Sequence, residues 1–248
     1  MTVEKPRGPL QGIKIVDLTT VMLGPFCTQL LGEMGAEVIK IETPEGDVNR
    51  WTGAARTPGM STGQLIKGRN KRSIVLNLKV PEARKPFEKL IKAADVFVHN
   101  IRPKAALRLK INYETISGIR PNIVYASATG FGEDGPYADK PAYDDLIQGA
   151  SGLANLYGTV NGTPQYAPSV IADKTSGLFL SNYITMALFH REKTGEGQKL
   201  HVPMYESFAS FVINEHLQGQ TFLPPTGPAG YSRLLTSNRR PYQTQDGY

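Results

Sequence analysis

The chain has 248 residues, 40% hydrophobic and 20% charged, with 25 Gly and 18 Pro, a globular composition long enough to bury a full core in one large or two small domains. Net charge is +6, but the excess is local, since positions 66 to 110 hold 13 basic and 3 acidic side chains. A basic block in an otherwise acidic chain points to an anionic ligand and away from nucleic acid, for which basic and aromatic residues would interleave along a face; a solvated helix face is the competing reading. The single cysteine excludes an internal disulfide, no stretch approaches the ~20 apolar residues of a membrane span, and MTVEKPRGPLQG lacks the pattern of a secretory leader, so a cytoplasmic protein is expected.

Gly12 to Leu18 is a short apolar run with β-branched residues and predicts a buried strand. Gly24 and Pro25 then open a helix with Cys27, Leu30, Leu31 and Met34 on one face, which makes Cys27 a core residue. Gly35 ends that helix and EVIKI, from Glu37, is the next strand. Strand, helix and strand in this order form a βαβ unit, the start of a parallel α/β sheet. From Thr43 to Gly63 a Pro-, Gly- and Thr-rich stretch reads as a long surface loop. Strands are expected at Ser73 to Leu78, Asp95 to His99 and Asn122 to Ala128, with helices from Pro81 to Ala94, near Ala105 and from Tyr113 to Gly118 between them. The alternation predicts a Rossmann-like, doubly wound, mostly parallel sheet, in which ligands bind beyond the carboxyl ends of the strands. Lys71, Asn100, Arg102 and the loop at Gly130 fall at or near such ends.

Residues 130 to 135, GFGEDG, spell G-x-G-x-x-G after a strand, yet Glu133 and Asp134 would repel a pyrophosphate and Pro136 follows the last glycine, so a nicotinamide dehydrogenase is not expected. One helix is predicted from Pro141 to Leu156, with Asp144 and Asp145 near its start, more plausibly as caps than as an acid and base pair. Pro168 precedes a further helix with apolar residues at Leu178, Leu180, Tyr183, Ile184, Ala187 and Leu188, which begins near Asp173. Asp173 reads either as a plain N-cap or as a carboxylate kept ionised by free backbone N–H groups and able to act as a nucleophile. A strand at Gln198 to Val202 and a helix opened by Pro203 follow, and a Pro- and Gly-rich linker begins at Leu223. His99, His190, His201 and His216 have no ligand spacing, so no metal site is expected.

Six segments together resemble the class III coenzyme A transferases, the family of formyl-CoA and carnitine CoA transferases and the α-methylacyl-CoA racemases. They are GIKIVDLTTVMLGPFCTQLLGEMGAEVIKIETPEGD, GRNKRSIVLNL, HNIRP, YASATGFGEDGPYADKPAYDD, ADKTSGL around Asp173, and HREKTGEGQKLHVPMYES. The resemblance implies a large Rossmann-like domain over residues 1 to 222, a linker and the first residues of a smaller, incomplete domain over 223 to 248, and two subunits interlocked as a homodimer when the chain is full length. It implies that Asp173 attacks an acyl-CoA thioester and then carries CoA as an aspartyl thioester until a carboxylic acid acceptor takes it, with acyl-CoA as substrate and no permanently bound cofactor. It places Lys71, Asn100, Ile101 and Lys140 along the bound CoA, whose phosphates would explain the basic block, and Arg102, near a strand end within that block, is expected to bind CoA with them. Met22 and Thr43 replace a glutamine and an arginine of the formyl-CoA transferase, which speaks against formyl and oxalyl specificity. Two rival readings are a racemase and a CoA-binding or dimerising fragment without turnover. The racemase would need its histidine where Tyr143 stands, and tyrosine, with a reference pKa of ~10, is a poor base near neutrality.

Overall fold

The computed structural model describes residues 8–247. Six strands, β1 (Lys14–Leu18), β2 (Glu37–Glu42), β3 (Lys71–Val75), β4 (Val96–His99), β5 (Val124–Thr129) and β6 (Gln198–Pro203), form one sheet in the order β3-β2-β1-β4-β5-β6. Every neighbouring pair is parallel. The order reverses between β1 and β4, where Ile15 pairs with Val96 and Leu18 with His99. A crevice opens there beyond the strand ends, because the connections leave to opposite sides.

Side chains alternate across the sheet with period two and feed two cores. Ile15, Val96, Val98, Val124, Ala126 and Ala128 point to one, while Val16, Phe97 and Tyr125 point to the other. The first core lies under α1 (Leu23–Glu33), α6 (Asp144–Ala150), α8 (Ile171–Thr194) and α9 (Met204–Ile213), which supply Cys27, Leu31, Ile147, Leu180, Ile184 and Phe208. The second lies under α3 (Arg84–Ala93), α4 (Pro103–Arg108) and α5 (Tyr113–Ile119), which supply Phe87, Ile91, Ala106 and Ile116. The doubly wound fold expected from the alternation is therefore present, and Cys27 is core, fully buried with its thiol pushed well above its usual range by burial and by Asp17.

Three local expectations change. The stretch from Thr43 to Gly63 is not plain loop: Asp47 caps a short 3-10 helix, and Ser61 caps α2 (Thr62–Lys67) while donating to the carbonyl of Asn49. Strand β3 starts two residues earlier than predicted, at Lys71. The single helix predicted over 141 to 156 is two, α6 and α7 (Leu153–Asn161), because Gly152 takes φ +85°, a conformation that costs a residue with a Cβ. The helix after Pro203 ends at Ile213, and a short 3-10 helix, Gln218–Thr221, follows.

Candidate active site

The loops that follow β1, β4 and β5 converge with the first turns of α8 and α9 on a cavity of about 110 Å³. Its walls include Val21, Leu23, Asn100, Thr129, Gly130, Tyr143, Met204 and Asp173. Asp173 is not the N-cap of α8. That position is Val170, and Asp173 sits three residues further on, with its own backbone N–H donated to Asp144 Oδ2 at 2.9 Å. Asp144 therefore caps a neighbouring helix, a role hidden from the sequence because the two residues lie on separate helices. Gln148 holds the same segment: its Oε1 takes the N–H of Ala167, and its Nε2 donates to Asp144 Oδ1 at 2.5 Å. The segment leading into α8 is thus pinned from α6.

Relieved of capping, the Asp173 carboxyl faces the cavity in a setting that raises its pKa from 3.8 to about 6. Burial is the largest cause and the neighbouring Asp144 charge the second, while a hydrogen bond from the Leu23 N–H and the charge of Lys67 pull the other way. Leu23 is the first residue of α1, so the carboxylate meets the positive end of a second helix dipole. The close approach depends on Gly177, one turn after Asp173. A Cβ there would come within 2.8 Å of the Leu23 carbonyl oxygen and 3.1 Å of Phe26 Cδ1.

The expected ligand contacts separate into different classes. Asn100 is at the cavity, but its amide bridges two loops, accepting from Thr20 N at 2.9 Å and donating to Thr20 O at 2.8 Å. Lys71 is corrected: its side chain is 2% exposed, and Nζ donates to Asp17 Oδ2, the Pro25 carbonyl and Thr28 Oγ1 at 3.2, 2.9 and 2.7 Å. All three ammonium hydrogens are spent inside the fold. Burial would raise the Asp17 carboxyl, yet Lys71, Lys40 and two threonine hydroxyls hold it at about 2. Ile101 is half-buried, with its N–H donated to His99 Nδ1, and lines a separate pocket. Arg102 is exposed at the start of α4, and Lys140 is exposed with Nζ 4.0 Å above the Tyr137 ring.

The basic block divides likewise. Arg69 pairs with Glu33 and Arg72 with Glu37. Lys79, Arg84, Arg108 and Lys110 instead line an open groove of about 600 Å³ with Leu78, Val80, Pro81 and Leu109, beyond the ends of β3 and β4. Arg84 Nη1 is buried there with no hydrogen-bond partner, while Nη2 caps the carbonyl of Lys110 at 2.7 Å. These four were within the expected block but had not been singled out, since spacing alone does not distinguish them from the paired cations.

The family model described as CoA-transferase family III matches residues 10–248. The chain belongs to this family. Among its relatives, an acetyl-CoA:oxalate CoA-transferase of Acetobacter aceti is 37% identical over 97% of this chain and 60% of its own length. The human succinyl-CoA:glutarate CoA-transferase is 37% identical over 97% of this chain and 55% of its own. The succinyl-CoA–L-malate CoA-transferase beta subunit of Chloroflexus aurantiacus is 39% identical over 80% of this chain and 50% of its own. The chain thus spans between half and three fifths of the length of these relatives. The crystal structure of a CAIB/BAIF family protein from Brucella suis superimposes with a TM-score of 0.82 at 32% identity, over 91% of this chain and 61% of that one.

Two further features of this family III chain bear on its chemistry. The G-x-G-x-x-G run at 130 to 135 lies in a turn-rich loop, and the next helix, α6, begins only at Asp144, so the glycines do not open a helix. Among the described residues no three His, Cys, Asp or Glu side chains gather as a metal site, and no helix is long and apolar enough to cross a membrane.

Proposed function

We propose that this chain carries the nucleophile and the CoA site of an enzyme that transfers coenzyme A between carboxylic acids. The observation that carries the reading is Asp173, a carboxyl freed from capping and facing a cavity at the strand ends, where burial and the Asp144 charge raise its pKa to about 6. Its carboxylate oxygen would attack the thioester carbonyl, the C–S bond would break, and CoA would leave as thiolate to give a mixed anhydride. The thiolate would then attack the aspartyl carbonyl, releasing the donor acid and leaving Asp173 as a CoA thioester. An acceptor carboxylate reverses these two steps and leaves with CoA. The sequence is redox-neutral: the CoA thiolate expelled when each carboxylate attacks a thioester is the nucleophile that opens the resulting anhydride, and the donor acid departs before the acceptor enters. The N-terminus of α1 at Leu23 supports the developing negative charge.

CoA is a long anion, so a site for its phosphates is needed away from the reacting carbon. The groove of Lys79, Arg84, Arg108 and Lys110 suits that part on charge. Arg102, at the start of the α4 that carries Arg108, and Lys140, next to the Asp139 that pairs with Lys104 of α4, are exposed and extend it; Lys71 does not. In assembly, the reading follows the resemblance: a homodimer through residues 1 to 222, with 223 to 248 leading toward a second domain. An apolar groove of about 880 Å³ between α7, α9 and residues 234 to 239 supports an assembly role for that face. The test is to incubate the protein with acyl-CoA and map the product by peptide mass spectrometry. A hydroxylamine-labile adduct on Asp173 is expected; an adduct on another carboxyl would refute the reading.

A further inference from the structure

The loop between β1 and α1 is held in an uncommon way. Its three successive carbonyls, of Thr19, Thr20 and Val21, each accept a hydrogen bond from a side chain of a different segment. Lys40 Nζ of β2 reaches Thr19 O at 2.5 Å, Asn100 Nδ2 reaches Thr20 O at 2.8 Å, and Asn49 Nδ2 reaches Val21 O at 2.6 Å. Within this grip Val21 adopts φ +70°, a left-handed conformation that its branched Cβ disfavours. A strained residue persists only where its surroundings over-determine it, and such residues gather at functional sites.

The residue two positions after Val21 is Leu23, and both line the cavity that Asp173 faces, with the Leu23 N–H among the groups that favour the ionised carboxyl. Because peptides are planar and trans, turning the Val21 carbonyl toward Asn49 fixes the opposite direction for the Met22 N–H and sets the entry of α1. Asn49 is itself fixed: it is 4% exposed, and its N–H is donated to Asp47 Oδ1 at 2.8 Å, while Asp47 Oδ2 pairs with Lys40 at 2.8 Å.

We propose that Asn49 is a positioning residue for Asp173, acting by holding Val21 in its left-handed conformation and with it the Val21 to Leu23 wall of the cavity that the carboxyl faces. The proposal rests on the reading of Asp173 as nucleophile. Other charged or titratable groups facing Asp173 are Asp144 on α6, Lys67 on α2 and Tyr143 at the start of α6; Asn100 and Met204 face it without charge. Lys67 also feels Asp47. Asn49→Ala leaves all of these in place, which makes it a cleaner probe than a substitution at Asp47.

The test compares wild type with Asn49→Ala, Val21→Gly and the double variant, following the Asp173 carboxyl by carbon NMR titration with Asp173→Asn to assign the signal. Asn49→Ala should shift the titration upward from about pH 6, and transfer at pH 6 should fall by about 2- to 10-fold, the worth of one hydrogen bond, with KM for acyl-CoA unchanged. Glycine reaches φ +70° without strain, so in the Val21→Gly background removing Asn49 should leave the titration where Val21→Gly alone puts it. If Asn49→Ala does not fold, a folded double variant with the titration of Val21→Gly carries the same support. An unshifted titration in Asn49→Ala, or a double variant that titrates like it or fails to fold, overturns the proposal. The titration needs no turnover, so wild-type transfer by Asp173→Asn would sink the transferase reading while leaving Asn49 to be judged separately.

Discussion

Asp173 is poised because burial and Asp144 oppose its ionisation while Leu23 and Lys67 favour it. In the proposed mechanism the nucleophile is the ionised form, so the transfer rate should climb through an apparent pKa of about 6 and level off above it, which a pH profile of kcat/KM would show. Stability should run the other way. Between pH 3.8 and about 6 the native carboxyl keeps a proton that the unfolded chain has released, so stability falls across that window, and the ionised group costs up to ~3 kcal/mol above it. Asp173→Asn should therefore abolish transfer by ~10³-fold or more while raising the melting temperature at pH 8, a pairing that a simple N-cap would not give. From the sequence, Asp173 stood out by its place after Pro168 and before an apolar helical face. Its exact role did not, because the residue that replaces it as cap, Asp144, comes from another helix.

At the scale of elements, the approach of α8 to α1 sets the site. Gly177→Ala would drive a methyl against the Leu23 carbonyl, so it should destabilise the fold by ~1–3 kcal/mol and, by moving Asp173 from the Leu23 N–H, slow transfer; urea titration and rate measurement on one sample check both. Lys71 joins β3 to β1 and α1. Lys71→Ala leaves the fully buried Asp17 without its nearest cation and should cost about 3–5 kcal/mol by urea denaturation. The strand and helix order was legible because each run shows its own period, two or 3.6, over a few residues. What escaped was set by tertiary partners. The cations of residues 66 to 110 look alike in sequence, yet Lys71 is sealed against Asp17, Arg69 pairs with Glu33, and Arg108 faces open space. Likewise α2 was hidden in a polar stretch and depends on Ser61 and Asn49 for its start.

For the whole molecule, the strand ends gather the proposed chemistry on one edge, with the carboxyl beyond β1, β4 and β5 and the basic groove beyond β3 and β4. Lys79→Ala and Arg108→Ala should each weaken CoA binding by ~1–3 kcal/mol in calorimetry, with little change in melting temperature. Dephospho-CoA should narrow the gap between wild type and variant if the 3′-phosphate is the group held. Leu178, Met186 and Phe189 of α8 are exposed and Phe211 of α9 lines the apolar groove, and these surfaces should be covered in the assembled protein; light scattering at micromolar concentration should give a dimer.

The parallel sheet places its earliest strand at the centre. β1 must wait for β4, and the Leu23 that steadies Asp173 leaves the ribosome about 150 residues before it does. Until α8 docks, Asp173 is an ordinary solvated acid, too weakly basic to differ from any other aspartate in the chain. On the proposed mechanism, reactivity is thus conferred by the docking of α8 on α1, so a nascent or partly folded chain that met acyl-CoA would have no carboxyl prepared to react with it.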